Sequence, residues 1–164
     1  MSVLKVDSIQ NTSGTTALNI DNSGIVTNPN AVGWFVYKTS SQTASSTTEL
    51  ITWQGVRVNQ GGGFQTSGGN ASKFVAPVHG LYTCHASMLS PSDTNDHDVL
   101  LYVNGVAHVR TRNGQPTGHE TFNLSWVGEL NAGETLHLAI NTIGDAIYGD
   151  GSNYWTIWCG HLIG

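Results

Sequence analysis

The stretch Val99-Leu100-Leu101-Tyr102-Val103-Asn104-Gly105-Val106-Ala107-His108-Val109-Arg110-Thr111-Arg112 decides the fold class. Two runs rich in β-branched and aromatic residues flank an Asn-Gly pair. A type I′ turn needs positive φ at both central residues, and Asn-Gly is the dipeptide that meets this at least cost. The stretch therefore predicts an antiparallel hairpin, with strands over 99–103 and 106–112.

Reading outward in both directions, period-two alternation recurs and the helical period is nowhere sustained. Phe122, Leu124 and Trp126 alternate with Asn123 and Ser125, and Leu136, Leu138 and Ile140 alternate with His137 and Ala139. Further strands are predicted over 32–38, 50–58, 73–76, 81–89 and 154–163. Pro77 ends the third of these runs because it has no N–H for a ladder. A Ser/Thr-rich connection over 39–48, a glycine-rich turn over 59–63 and a polar loop over 90–96 separate them. Such a series of short strands indicates a sandwich or a barrel. The aromatics Trp34, Phe35, Trp53, Phe122, Trp126, Trp155 and Trp158 fall on these strands, and core packing is the expected role of most of them.

Residues 1–30 read differently. Val3, Leu4, Val6 and Ile9 form one short β-like run, and Ala17, Leu18 and Ile20 another, with turn residues between them. Strands this short bury no core of their own, so they must pair with something else. Asn28-Pro29-Asn30 marks the boundary, giving a β-rich arm over 1–30 and a main domain over 31–164.

Composition narrows the partners. Only 10% of the 164 residues are charged, against roughly 25% in an average soluble domain. The net charge is -5, and the six basic residues, Lys5, Lys38, Arg57, Lys73, Arg110 and Arg112, are scattered. Nucleic-acid binding would need a basic stripe, so no nucleic-acid partner is expected. No apolar run approaches the ~20 residues that span a bilayer, so no membrane insertion is expected. The N-terminus has no signal-peptide core, which points to synthesis in the cytoplasm. Cys84 and Cys159 are then expected as two thiols.

Four motifs carry a family resemblance. Phe74-Val75-Ala76-Pro77-Val78-His79-Gly80-Leu81-Tyr82 resembles the Phe-x-Ala-Pro-x-x-Gly-x-Tyr signature of the complement first-component globular head, a tumour necrosis factor-like jelly roll. Leu101-Tyr102-Val103-Asn104-Gly105 resembles its Leu-x-x-Asn-Gly hairpin, and Leu130-Asn131-Ala132-Gly133-Glu134-Thr135-Leu136 its Leu-x-x-Gly-Asp-x-Leu turn. Trp158-Cys159-Gly160-His161-Leu162-Ile163 resembles its closing Phe-Ser-Gly-Phe-Leu-Leu, with Cys159 and His161 as departures. The resemblance implies an all-β jelly-roll β-sandwich of about ten strands over 32–164, preceded by the arm. It also implies a homotrimer with one sheet of each subunit facing a three-fold axis. Alignment to the family places Thr83, His85, Asn123, Ser125 and Trp158 at that trimer interface.

The arm, Ser2-Val3-Leu4-Lys5-Val6-Asp7-Ser8-Ile9-Gln10-Asn11-Thr12-Ser13-Gly14, is similar to the start of many tailed-phage structural proteins, cyanophage fibre and virion-surface proteins in particular. That similarity implies a virion-surface protein made in the host cytoplasm. Its partners would be itself and other virion proteins, capsid or tail components. Val3, Leu4, Val6, Ile9, Leu18 and Ile20 are the expected attachment residues. The leading expectation is a homotrimeric capsid decoration (cement) protein or short head fibre. The alternative is a receptor-binding tail-fibre tip that recognises host surface glycan.

Catalytic chemistry is not legible. His119-Glu120 opens like a zinc-protease motif, but Asn123 stands where the second histidine is needed. Cys84 and His85 are adjacent on a strand and point to opposite faces. No Gly-x-Ser-x-Gly elbow is present. No enzyme activity, metal or cofactor is therefore assigned. Two acidic loops, one with Asp93, Asp96 and Asp98 and one with Asp145 and Asp150, offer oxygen atoms of the kind calcium takes six to eight of. An ordinary solvated loop is the other reading of each.

Overall fold

The computed structural model describes residues 6–91, 96–114 and 118–163, and no α-helix occurs among them. The chain divides into two units, residues 1–31 and 32–164.

The first unit is a three-stranded antiparallel sheet in the order β1-β2-β3, with β1 at Ser8–Gln10, β2 at Thr16–Ile20 and β3 at Val26–Thr27. The same turn closes both hairpins. The Asn11 Oδ1 atom accepts from the N–H groups of Ser13 at 3.0 Å and Thr15 at 2.9 Å. Asp21 Oδ1 accepts from Ser23 and Ile25, each at 2.8 Å. In each loop the glycine three residues on has positive φ, +84° at Gly14 and +79° at Gly24. A short polar side chain thus mimics a backbone acceptor, and glycine closes the turn without a Cβ clash. Ile9 pairs with Leu18 and Ile20 with Val26, so these four share one face of the small sheet. Ile9 and Val26 are about half exposed there, at 48% and 56%. Val3 and Leu4 lie outside the described residues.

The second unit contains twelve strands: β4 (Gly33–Tyr37), β5 (Ser40–Thr43), β6 (Glu49–Leu50), β7 (Gly55–Gln60), β8 (Phe74–Val75), β9 (Gly80–Ser90), β10 (His97–Val103), β11 (Val106–Asn113), β12 (Glu120–Leu130), β13 (Thr135–Ile140), β14 (Ala146–Asp150) and β15 (Ile157–Leu162). They form one five-stranded sheet in the order β12-β9-β15-β4-β7 and another in the order β11-β10-β13-β6, with β8 also on β13. The Asn104-Gly105 turn joins β10 to β11, with φ of +49° and +79° as a type I′ turn requires.

The core between the sheets follows from alternation. Tyr82, Cys84, Ala86 and Met88 point inward from β9, as do Trp34 and Val36 from β4 and Phe122 and Leu124 from β12. Val99, Leu101 and Val103 meet them from β10, and Leu136, Leu138 and Ile140 from β13. Trp158 sits at the centre. Its ring lies 5.4 Å from Trp34, 5.9 Å from Trp53 and 6.1 Å from Phe64. Gly160 is dictated by this cluster, since a Cβ there would strike the Trp34 ring and the Thr83 carbonyl.

Two strands occur where the sequence reads as loops. The all-polar Ser40–Thr43 pairs with Ala146–Asp150 as a separate two-stranded ribbon. It carries no apolar alternation, because only Ile147 and part of Gln42 face inward. The run read as one strand over 50–58 is instead β6 and β7, with Ile51 and Trp53 buried between them. The final strand begins at Ile157, which leaves Tyr154 and Trp155 in an exposed loop.

Candidate subunit interface

The sheet β12-β9-β15-β4-β7 has one face on the core and one face open. Alternation of large buried and small polar residues along β9 and β12 produces this. Register then lines up the outward residues in rows across all five strands. Ser125, His85, Cys159, Phe35 and Val58 form one row, one residue from each strand. Val127, Thr83, His161, Gly33 and Gln60 form the next. The first row runs from the Ser125 hydroxyl and His85 imidazole to the apolar Phe35 and Val58, and the second from Val127 to the Gln60 amide.

Gly33 faces outward without a side chain, and this leaves a depression of about 460 Å³. Its walls are Phe35, Val58, Thr83, His85, Cys159 and His161. Beside the depression, Val127 is 59% exposed and Val58 43%. The polar groups are held in place. His85 Nδ1 lies 3.0 Å from Ser125 Oγ, and the Thr83 hydroxyl donates to the Trp126 carbonyl at 3.3 Å.

Of the residues named from sequence for the trimer interface, Thr83, His85, Asn123 and Ser125 lie on this face. Trp158 does not. It is 0% exposed and faces the core, because the strand period turns Cys159 and His161 outward and Trp158 inward. Sequence reasoning also passed over Phe35, Val58, Val127, Cys159 and His161. The alternation around Trp158 was the available signal for the last two.

The same period separates the cysteines. Cys84 points into the core and Cys159 outward, from adjacent strands, and both are free thiols. Burial pushes the Cys84 thiol up to about 12 and raises Cys159 as well.

The acidic loops are already partnered. Asp98 pairs with Arg110, whose Nε donates to Oδ1 at 2.9 Å, and accepts from Asn141 Nδ2 at 3.0 Å. Asp96 pairs with Arg112. Asp145 Oδ2 accepts the Asp98 N–H at 3.1 Å. Asp93 lies outside the described residues. Asp150 accepts from the Ser152 N–H at 2.7 Å and Asn153 Nδ2 at 3.0 Å, and these bonds lower its carboxyl. Among the described residues no three His, Cys, Asp or Glu side chains converge as a metal-ligand set.

The family model for the C1q domain matches residues 34–163. Solved structures share the fold at low identity. The globular domain of a zebrafish complement 1qA protein superposes with a TM-score of 0.65 at 13% identity, over 81% of this chain and 98% of that one. Murine APRIL, in its structure at pH 5.0, gives 0.65 at 13% identity over 81% and 99%. The Eiger TNF of S. frugiperda gives 0.65 at 7% identity over 82% and 93%. No curated protein matches the chain by sequence.

Proposed function

We propose that this chain, which belongs to the C1q domain family, acts as a homotrimeric virion-surface protein of a tailed phage: a capsid decoration protein or short head fibre. C1q and tumour necrosis factor-like domains typically self-associate as trimers, and they generally bind or build rather than catalyse. The chain carries the jelly-roll fold of that group.

The observation that carries the reading is the pairing of two open surfaces. One is the outward face around Gly33 on the jelly roll, with Val127 and Val58 exposed beside it, which suits two further copies of the chain. The other is the face of the N-terminal sheet that gathers Ile9, Leu18, Ile20 and Val26 with Ile9 and Val26 about half exposed. A small one-sided sheet is marginal on its own and gains stability by adding to another edge or face. We assign the first surface to trimerisation and the second to attachment. The experiment is to add purified protein to particles that lack it and measure co-sedimentation. Saturable binding supports the assignment, and absence of binding overturns it.

A receptor-binding tail-fibre tip is the second reading. The exposed aromatic loop at Tyr154 and Trp155 favours it.

A further inference from the structure

The loop before β15 is built to display aromatic rings. Asp150 caps it by accepting from Ser152 and Asn153. The backbone then enters the left-handed region at Tyr154, φ +50°, a conformation that a bulky residue adopts only where its surroundings enforce it. The surroundings are visible. Arg57 Nη1 donates to the Tyr154 hydroxyl at 3.0 Å, and the Tyr37 ring packs edge-on at 4.5 Å. The next residue, Trp155, packs instead on Tyr148 of β14 at 5.0 Å, and Tyr148 on His119 at 5.3 Å. Thr156 pins the base by donating to the Tyr148 carbonyl at 2.6 Å and accepting the Leu89 N–H at 3.1 Å.

We propose that Trp155, Tyr148 and His119 form a platform that binds a neutral pyranose sugar. Trp155 remains 40% exposed although it is already packed on Tyr148. An aromatic face offers a flat apolar surface to the C–H side of a sugar ring, while hydroxyls reach polar edges. Those edges are on hand. Neither the Tyr148 hydroxyl nor the Trp155 indole N–H has a hydrogen-bond partner among the described residues. The nearby Asp150 carboxylate is committed to its own turn. A polyanion would need a basic stripe, and a stable protein partner roughly 800 Å² per side, far more than three rings supply.

The inference rests on the second reading above, and the test separates the two. The full-length protein is applied to immobilised neutral oligosaccharides of glucose, galactose, mannose and N-acetylglucosamine, beside sialylated and sulfated controls. Bound sugars are then titrated by intrinsic tryptophan fluorescence with wild type, W155A, W155F and H119A. Folding of each variant is checked by near-ultraviolet circular dichroism and particle mass. The expected result is binding of a neutral sugar, weakened about tenfold or more in W155A and largely kept in W155F. Neutral-sugar binding that W155A leaves intact overturns this site and spares the receptor-binding reading. Binding of no sugar, or of acidic sugars alone, overturns the platform, and binding of none removes the second reading with it.

Discussion

His85 and Cys159 are register partners on adjacent antiparallel strands, both on the outward face of the sheet, while Cys84 beside His85 points into the core. One strand thus supplies a core residue and an outward-facing residue at consecutive positions.

The cysteines should behave as independent thiols. Their side chains lie on opposite faces of one sheet, which excludes a bridge without backbone movement. Adding reductant should leave the melting temperature unchanged. Iodoacetamide should reach Cys84, whose thiol burial pushes up to about 12, only when the chain unfolds. Alkylation kinetics followed by mass spectrometry check this. A melting temperature that drops on reduction contradicts it.

Lys38 gives a pH dependence of defined sign. Its side chain is fully buried, with Nζ donating to Gln42 Oε1 at 3.0 Å and the Thr52 carbonyl at 2.9 Å. Gln42 in turn donates to Glu49 at 3.2 Å, so the Glu49 carboxylate reaches the ammonium through an amide. Burial lowers the ammonium from 10.5 to about 8. Between those values the unfolded chain binds more protons than the folded one. Stability from this group therefore rises as pH climbs through that window, and its penalty is fully present below it. Unfolding free energies from urea titrations should increase across the window by an amount on the order of a few kcal/mol. In K38M the increase should vanish, and at neutral pH the variant should be as stable as wild type or more so.

The arm should be separable from the head. Deleting residues 1–28 should leave a folded trimer that no longer co-sediments with particles, because the family match begins only at residue 34. Ile20→Asp places a charge on the apolar face of the small sheet and should weaken attachment more than it weakens the trimer. Equal binding by the truncated and full-length proteins assigns the contact to the jelly roll instead.

The sandwich was legible because alternation and turn chemistry agree along most of the chain. Asn104-Gly105 and the Phe74 to Tyr82 signature needed no tertiary information. Ser40–Thr43 was not legible, since a polar strand in a two-stranded ribbon has no buried face to write into the sequence. The outward face of the five-stranded sheet was half legible. Thr83, His85, Asn123 and Ser125 sit on long alternating strands, where face follows from parity. Trp158 was misassigned because family alignment fixes a position while parity fixes its direction, and here the core takes the large ring. Trp155 was expected on the final strand, and the loop geometry that exposes it depends on Asp150 and Tyr154.

The most direct measurement is the mass of the particle in solution. Light scattering on the full-length protein at micromolar concentration should give three chains. Val127→Asp should give folded monomers. Val127 is 59% exposed in the single chain, so the substitution costs the monomer about 0.5 kcal/mol or less. In the trimer it buries an unpaired charge in each chain, at about 3 kcal/mol or more per charge, which raises the concentration needed for assembly roughly 1000-fold. A wild-type monomer, or a trimer that Val127→Asp leaves intact, contradicts trimerisation through this face.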